Sequence, residues 1–122
     1  MKKKLLLFTI LFFLVQVPVK IVFAGFVEVD LIIKDHKFEP EILELPAGEK
    51  IRITVHNKDN TVEEFESIDL KREKIVLANS KARVILAPLK PGEYKFFGEF
   101  HEETAQGKMI VKEKQEKQEN ND

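Results

Sequence analysis

The chain of 122 residues contains no cysteine. A thiolate metal site, a disulfide framework and a thiol nucleophile are therefore all excluded. Glycine is scarce at five residues, and none of them belongs to a glycine-rich loop of the kind that cradles phosphate groups. The sequence also lacks a serine, histidine and aspartate arrangement typical of hydrolases, so it does not predict an enzyme.

The N-terminus has the three parts of an export signal. Three lysines (residues 2–4) precede an apolar run over residues 5–17, and Val22-Phe-Ala24 provides small residues at the cleavage site. This pattern predicts a signal peptide over residues 1–24 and a periplasmic or secreted protein. The competing interpretation is a retained membrane anchor. It is disfavoured because a spanning helix needs about 20 apolar residues, and a proline and a lysine interrupt this run.

The predicted mature chain is a single acidic domain. Removal of residues 1–24 takes away four lysines and no acid, which leaves 98 residues with 16 basic and 21 acidic side chains. Such a net charge argues against nucleic acid or an anionic membrane as a partner, and it suits a protein that attracts cations. Residues 113–122 contain no apolar side chain, so we expect a disordered tail after a domain over residues 25–112.

Short apolar-alternating runs follow one another between turns rich in proline, glycine and asparagine. In residues 50–56, Ile51, Ile53 and Val55 alternate with polar side chains, as in a half-buried strand. Regular spacing of about 8–12 residues predicts an all-β sandwich of about seven strands. The segment Lys71-Arg-Glu-Lys74 is predicted to be a solvated surface loop. The predicted strands are residues 26–33, 42–45, 50–56, 62–68, 82–86, 93–100 and 108–111.

The segment Tyr94-Lys-Phe-Phe-Gly-Glu-Phe-His101, followed by Gly107-Lys-Met-Ile-Val111, resembles the copper-binding end of a cupredoxin. The pattern in that family is Tyr-x-Phe-x-Cys-x-x-His followed by Met-x-Gly-x-Ile-x-Val. Gly98 stands at the cysteine position and Ala105 at the methionine position, so His101 alone remains of these three ligands. Because a blue-copper site requires a thiolate, the chain is not an ordinary copper electron carrier.

The resemblance extends over residues 26–112 and implies a cupredoxin-like Greek-key β-sandwich. A narrower similarity is to small periplasmic cupredoxin-domain proteins found with bacterial high-affinity iron permeases, and to the N-terminal domain of EfeO-type iron-uptake proteins. It implies that acidic residues replace the copper ligands and that the domain handles iron or copper for a membrane permease or a periplasmic iron-binding protein. The segments that carry this narrower similarity are residues 63–67, 70–74, 97–102 and 104–107.

The predicted metal ligands lie at two places in the sequence. In the cupredoxin pattern His-x-Phe, Phe65 matches the aromatic residue, so Glu63 takes the position of the first histidine. Glu64 and Glu66 flank Phe65 and share a face of the strand. We expect Glu99 and His101, at the end of the sixth strand, to meet them at one pole of the sandwich. Carboxylates with one imidazole favour iron, Mn(II), Cu(II) or Zn(II) over Cu(I).

Other interpretations of these residues remain open from sequence. The glutamates also fit a solvated acidic face, and the domain also fits a metal-free module that docks a partner through its acidic pole. An oxidase is least favoured because the thiolate is absent. A homodimer across the acidic end would complete a site from two half-sets of ligands. We expect His36 to be an exposed turn residue, His56 to lie on the polar face of a strand, and Glu102 and Glu103 to be rim charges.

Overall fold

The computed structural model describes residues 25–114. The predicted signal peptide and most of the predicted tail, residues 115–122, lie outside this range. Within residues 25–114 no helix is both long and apolar enough to cross a membrane. The strands are β1 (Val27–Lys34), β2 (Lys37–Glu39), β3 (Ile42–Pro46), β4 (Ile51–Asn57), β5 (Glu63–Ser67), β6 (Arg72–Val76), β7 (Lys81–Leu86), β8 (Gly92–Gly98) and β9 (Gln106–Lys112).

The strands form two sheets, which confirms the all-β sandwich. One sheet has the order β2-β1-β4-β7 and the other has the order β3-β9-β8-β5-β6. Strands β1 and β4 are parallel, as are β3 and β9, whereas the remaining pairs are antiparallel. Strand β5 therefore lies between β8 and β6, which places the glutamates of β5 beside the end of β8.

The period-two pattern of β4 determines which of its faces is buried. Ile51, Ile53 and Val55 are fully buried, as predicted, and the side chains between them are half-buried. Three rings, Phe38, Phe65 and Phe96, fill the centre of the core, with centroids 5.0 to 6.2 Å apart. Because apolar burial is the main favourable term in folding, the packing of these rings holds strand β5, which carries Phe65 between its glutamates, in place.

The prediction of about seven strands missed two, β2 and β6. The predicted loop at Lys71–Lys74 is wrong, because Arg72–Val76 forms β6 and pairs antiparallel with β5 along its full length. Four of the five side chains of β6 are exposed, and only Val76 is buried. An edge strand held by its backbone hydrogen bonds shows no apolar alternation, so no period-two signal marks it in the sequence.

The end of β8 also differs from the prediction. The strand stops at Gly98 instead of continuing to residue 100, and Glu99–His101 forms a single turn of 3₁₀ helix, η1. The amide of Gly98 donates to the carbonyl of Ala105 at 2.8 Å, which closes the loop back onto β9. Glu99 and His101 consequently lie on a helical turn, not on one face of a strand.

The aromatic cluster is expected to dominate the stability of the domain. Phe65→Ala should lower the free energy of unfolding by about 3–5 kcal/mol, because it leaves a cavity among buried rings. Phe100→Ala is the matched control, since that ring is 49% exposed and its loss should change stability by less than about 0.5 kcal/mol. Urea denaturation of both variants measures the difference, and similar losses would contradict this account of the core.

Candidate functional site

The structure divides the five predicted ligands into two groups. Successive side chains of β5 alternate between faces, so Glu63 points into the sandwich while Glu64 and Glu66 lie on the outer face. Glu63 meets His101 inside, and Glu99 meets Glu64 and Glu66 outside. The expectation that all five converge at one place is therefore not met, because adjacent residues of a strand cannot share a face.

The carboxylate of Glu63 is buried and fully hydrogen-bonded. Its Oε1 accepts from the amides of Glu64 and Phe100, each at 2.9 Å, and its Oε2 lies 2.6 Å from Nδ1 of His101. An ionised carboxylate only accepts hydrogen bonds, so Nδ1 of His101 donates. The Glu63 side chain is 2% exposed, whereas that of His101 is 26% exposed. This one carboxylate thus connects β5, the start of η1 and the imidazole.

The place of the cupredoxin copper ligands does not fit copper in this chain. A Cβ atom at residue 98 would lie 2.7 Å from Cδ of Glu63 and 2.8 Å from Cβ of Ala105, too close for either contact. The Glu63 carboxyl group thus occupies the space beside Gly98 into which a cysteine would project. With glycine at the cysteine position and alanine at the methionine position, no sulfur ligand is present, and the histidine of the His-x-Phe pattern is a carboxylate bonded within the protein.

The outer group is a cluster of three carboxylates. Glu64, Glu66 and Glu99 each place an oxygen within 4.8 Å of the other two. A hydrogen bond with Glu99, followed by partial burial and the charges of neighbouring glutamates, raises the pKa of Glu66 to about 7. Burial and then the charge of Glu99 also raise the pKa of Glu64. Glu73, opposite Glu66 on β6, adds to the repulsion. When no cation neutralises its charge, this outer carboxylate cluster therefore keeps a proton at a higher pH than an isolated carboxylate would.

His36 was not predicted to belong to the site, yet it contacts His101. The two ring centroids are 3.6 Å apart with an interplanar angle of 69°. His36 lies in a turn, as predicted, but it is half-buried instead of exposed. Asp35-His36 is the two-residue turn of the β1–β2 hairpin, and the sequence separates it from His101 by 65 positions. Asp-His is not one of the strong two-residue hairpin signals such as Asn-Gly or Asp-Gly, and nothing in the sequence shows where the tip of this hairpin lies.

The turn that carries His36 is held by Asp59. Both turn residues have left-handed backbone, with φ of 51° at Asp35 and 58° at His36. The Asp59 carboxylate accepts from both of their amides, at 2.8 and 3.0 Å. Partial burial acts to raise the pKa of Asp59, but these backbone hydrogen bonds and the nearby charges of His36 and His101 lower it overall. The position of His36 is therefore fixed by a hydrogen-bonded loop.

The remaining predicted positions are peripheral. Glu102 and Glu103 are exposed, next to His101 at the rim of an open depression. His56 lies on the polar face of β4 with Nε2 2.8 Å from the exposed Asp30 carboxylate. His56 and Asp30 thus form a histidine–carboxylate pair like that of His101 and Glu63, but in contact with water.

These two pairs provide a matched comparison. His101→Ala should lower the free energy of unfolding by about 3 kcal/mol, because it leaves the buried Glu63 charge without its partner. His56→Ala should cost less than about 1 kcal/mol, since the Asp30 side chain is 79% exposed and water replaces the lost contact. Guanidinium denaturation at pH 7 compares them. Equal losses would mean that Glu63 is not held by His101 as described.

The outer carboxylate cluster should make stability depend on pH. The pKa of Glu66 is about 7 in the folded protein and ordinary, near 4.5, in the unfolded chain. Between these values the folded state binds more protons, so stability should fall as pH rises from about 4.5 to 7 and then level off. Glu66→Gln should flatten this slope, whereas Glu44→Gln, on the exposed face of β3, should not. Thermal midpoints measured from pH 4 to 8 without metal test the expectation, and parallel curves would refute it.

Comparison with known proteins agrees with this architecture. The family model described as a cupredoxin-like domain matches residues 5–111. A protein of Rickettsia prowazekii (strain Madrid E) is 60% identical over 84 residues, which is 69% of this chain and 67% of that protein. That relative is named "Uncharacterized protein RP394".

Solved structures of low identity share the fold. The metal-binding domain of the Cu(I)-exporting P-type ATPase CopA of Streptococcus pneumoniae D39 superposes with a TM-score of 0.66 at 15% identity, covering 74% of this chain and 89% of that one. The blue copper protein auracyanin A of Chloroflexus aurantiacus gives 0.63 at 15% identity, covering 72% and 100%. With the family match spanning most of the sequence, the chain belongs to the cupredoxin-like domain family.

Proposed function

We propose that this protein is exported and binds a transition-metal cation, iron or copper, without catalysing a reaction, as an accessory to iron uptake. The observation that carries the proposal is the convergence of the Glu64, Glu66 and Glu99 carboxylates within 4.8 Å at the end of the sandwich. A hydrogen bond with Glu99, then partial burial and the charges of the neighbouring glutamates, raise the pKa of Glu66. Three ionised carboxylates at this distance would repel one another, and a bound cation would relieve that repulsion.

The donor set favours a hard or borderline cation. Carboxylate oxygens suit Fe(III), Mn(II) or Cu(II), whereas Cu(I) selects the sulfur ligands that this site lacks. Glu99 is exposed, and the cluster lies on the outer face of the sheet, so a cation bound there keeps open coordination positions. Such a site suits capture and transfer better than permanent storage.

A role in uptake follows from charge and from the sequence resemblance. The predicted mature chain is strongly acidic, which raises the local concentration of cations around it. The sequence similarity to cupredoxin-domain proteins that accompany bacterial iron permeases is the reason to connect this metal binding with iron uptake. We infer that the metal is presented to a membrane permease or to a larger periplasmic carrier.

A second candidate function is supported by the Glu63 pair. The first ligand position of the family is filled by a carboxylate whose hydrogen bonds are all internal, as expected of a domain that has given up metal. The same end of the sandwich exposes Glu99, Glu102, Glu103 and the Phe100 ring. A metal-free domain with this surface would dock a partner that carries basic and apolar groups.

Thermal denaturation with metal separates the two candidates. Fe(III), supplied as its nitrilotriacetate complex, or Cu(II) should raise the melting midpoint, because a ligand specific to the folded state stabilises it by about 2.7 kcal/mol at a hundredfold excess over Kd. The double variant Glu64→Gln, Glu66→Gln should lose most of the Fe(III) shift. Glu44→Gln, remote on β3, should keep it. No shift with either metal would favour the interaction domain.

A further inference from the structure

We propose that a second copy of this chain docks, through its acidic tip, on the edge of the sandwich that β6 and β7 form. The acidic tip consists of exposed residues at the end of η1 and just after it: Phe100, Glu102 and Glu103. The proposal names a partner for the acidic end that the second candidate function describes. Neither docking surface includes a carboxylate of the outer cluster, so the proposal does not depend on metal binding there.

The first support is the charge of this edge. Five exposed basic side chains lie on β6, on β7 and just before β6, and together they define the basic edge: Lys71, Arg72, Lys74, Lys81 and Arg83. None of them forms an ion pair with another residue of the range 25–114. Glu73 is the only acid between residues 71 and 83, and it lies against Glu64 in the outer carboxylate cluster. The basic edge therefore presents positive charge that no described side chain pairs with.

The second support is the apolar surface beside these charges. Seven large apolar side chains are exposed in the part of the chain that the structure describes. Four of the seven lie on this edge or in the turn that leads into it: Ile68, Ile75, Leu77 and Ile85. Apolar side chains that gather at the surface within a polar rim mark an interaction site. The basic edge is therefore suited to a partner with both acidic and apolar groups.

The third support is the backbone of the two strands. β6 pairs only with β5, and β7 pairs only with β4, so each leaves one side of its backbone without a neighbouring strand. Nε of Arg72 donates to the carbonyl of Ile85 at 3.4 Å and connects the two edges. Charges on edge strands also prevent uncontrolled pairing, but charge of either sign serves that purpose. A run of five positive charges instead selects a negative partner.

The acidic tip has the matching chemistry. Glu102 and Glu103 are exposed, and neither forms an ion pair within residues 25–114. The Phe100 ring beside them is 49% exposed and provides an apolar group for the aliphatic side chains of the edge. A symmetric contact between two acidic tips would bring like charges together. The contact is therefore heterologous, and it leaves a free tip and a free edge to which further copies can add.

Sedimentation velocity of the chain from residue 25 onward tests the proposal. In about 0.02 M salt the sedimentation coefficient should rise with protein concentration, whereas in about 0.5 M salt it should stay at the monomer value, because ions screen exposed charges. Lys74→Gln combined with Arg83→Gln should weaken self-association by about tenfold, since it removes two charge pairs. Lys90→Gln combined with Lys112→Gln is the matched control. It makes the same change in net charge before β8 and at the end of β9, and it should leave self-association unchanged.

Mixing two variants identifies which surfaces meet. Glu102→Gln combined with Glu103→Gln keeps the basic edge and neutralises the acidic tip, whereas the Lys74 and Arg83 variant keeps the tip and weakens the edge. Each variant alone should remain monomeric at the concentration where the wild type first associates. Their equimolar mixture should form a one-to-one dimer that does not grow, because only one intact edge and one intact tip can pair.

Three results would overturn the proposal. The first is a wild-type chain that stays monomeric in low salt; if it then binds phosphatidylglycerol vesicles through Lys74 and Arg83, the edge takes an anionic membrane instead. The second is self-association that survives in the Glu102 and Glu103 variant, which would show edge-to-edge pairing. The third is a mixture no heavier than its components.

The outcome is separable from that of the metal site. The Lys74 and Arg83 variant should keep the Fe(III) shift in melting midpoint, and the double variant Glu64→Gln, Glu66→Gln should keep self-association. Loss of self-association in that double variant would show that the outer carboxylate cluster, and not the acidic tip, meets the basic edge, and it would also overturn the proposal.

Discussion

The burial of one charged side chain, Glu63, determines the arrangement of everything at this end of the sandwich. A carboxylate removed from water has to find several hydrogen-bond donors, and here they come from two backbone amides and the His101 imidazole. These hydrogen bonds fix one ring nitrogen of His101. They also accompany the end of β8 at Gly98 and the 3₁₀ turn at Glu99–His101. The outer carboxylates and His36 are arranged around that core.

Much of the fold was predictable because period-two alternation is a strong signal where one face is buried. Ile51, Ile53 and Val55 show it clearly, and the family resemblance implied the Greek-key sandwich. Strand β6 was not predictable, because its backbone pairs with β5 while four of its five side chains are exposed to water. The 3₁₀ turn was not predictable either, since it depends on an acceptor 37 residues earlier in the sequence.

The sequence indicated which residues lie at this end of the sandwich but not how they are arranged. Each of the five ligand candidates lies near the expected end of the sandwich. However, Glu63 and Glu64 are adjacent on a strand and must point in opposite directions, so one sheet separates an inner pair from an outer cluster. The contribution of His36 could not be predicted, because a hairpin tip is placed by tertiary contacts such as the Asp59 carboxylate. The local sequence indicates that a turn forms, but it does not indicate which part of the fold that turn contacts.

Gly98 limits which side chains this end of the domain can accept. With a carboxyl carbon 2.7 Å from where its Cβ would be, a mutation to cysteine at this position alone would collide with Glu63. Replacement of Glu63 alone would leave two backbone amides and the His101 ring N–H without their hydrogen-bond acceptor. Neither single step toward a thiolate at this position is neutral, so a cysteine here requires paired changes at residues 63 and 98. The two positions constrain each other, and a blue-copper ligand set cannot be built into this domain one residue at a time.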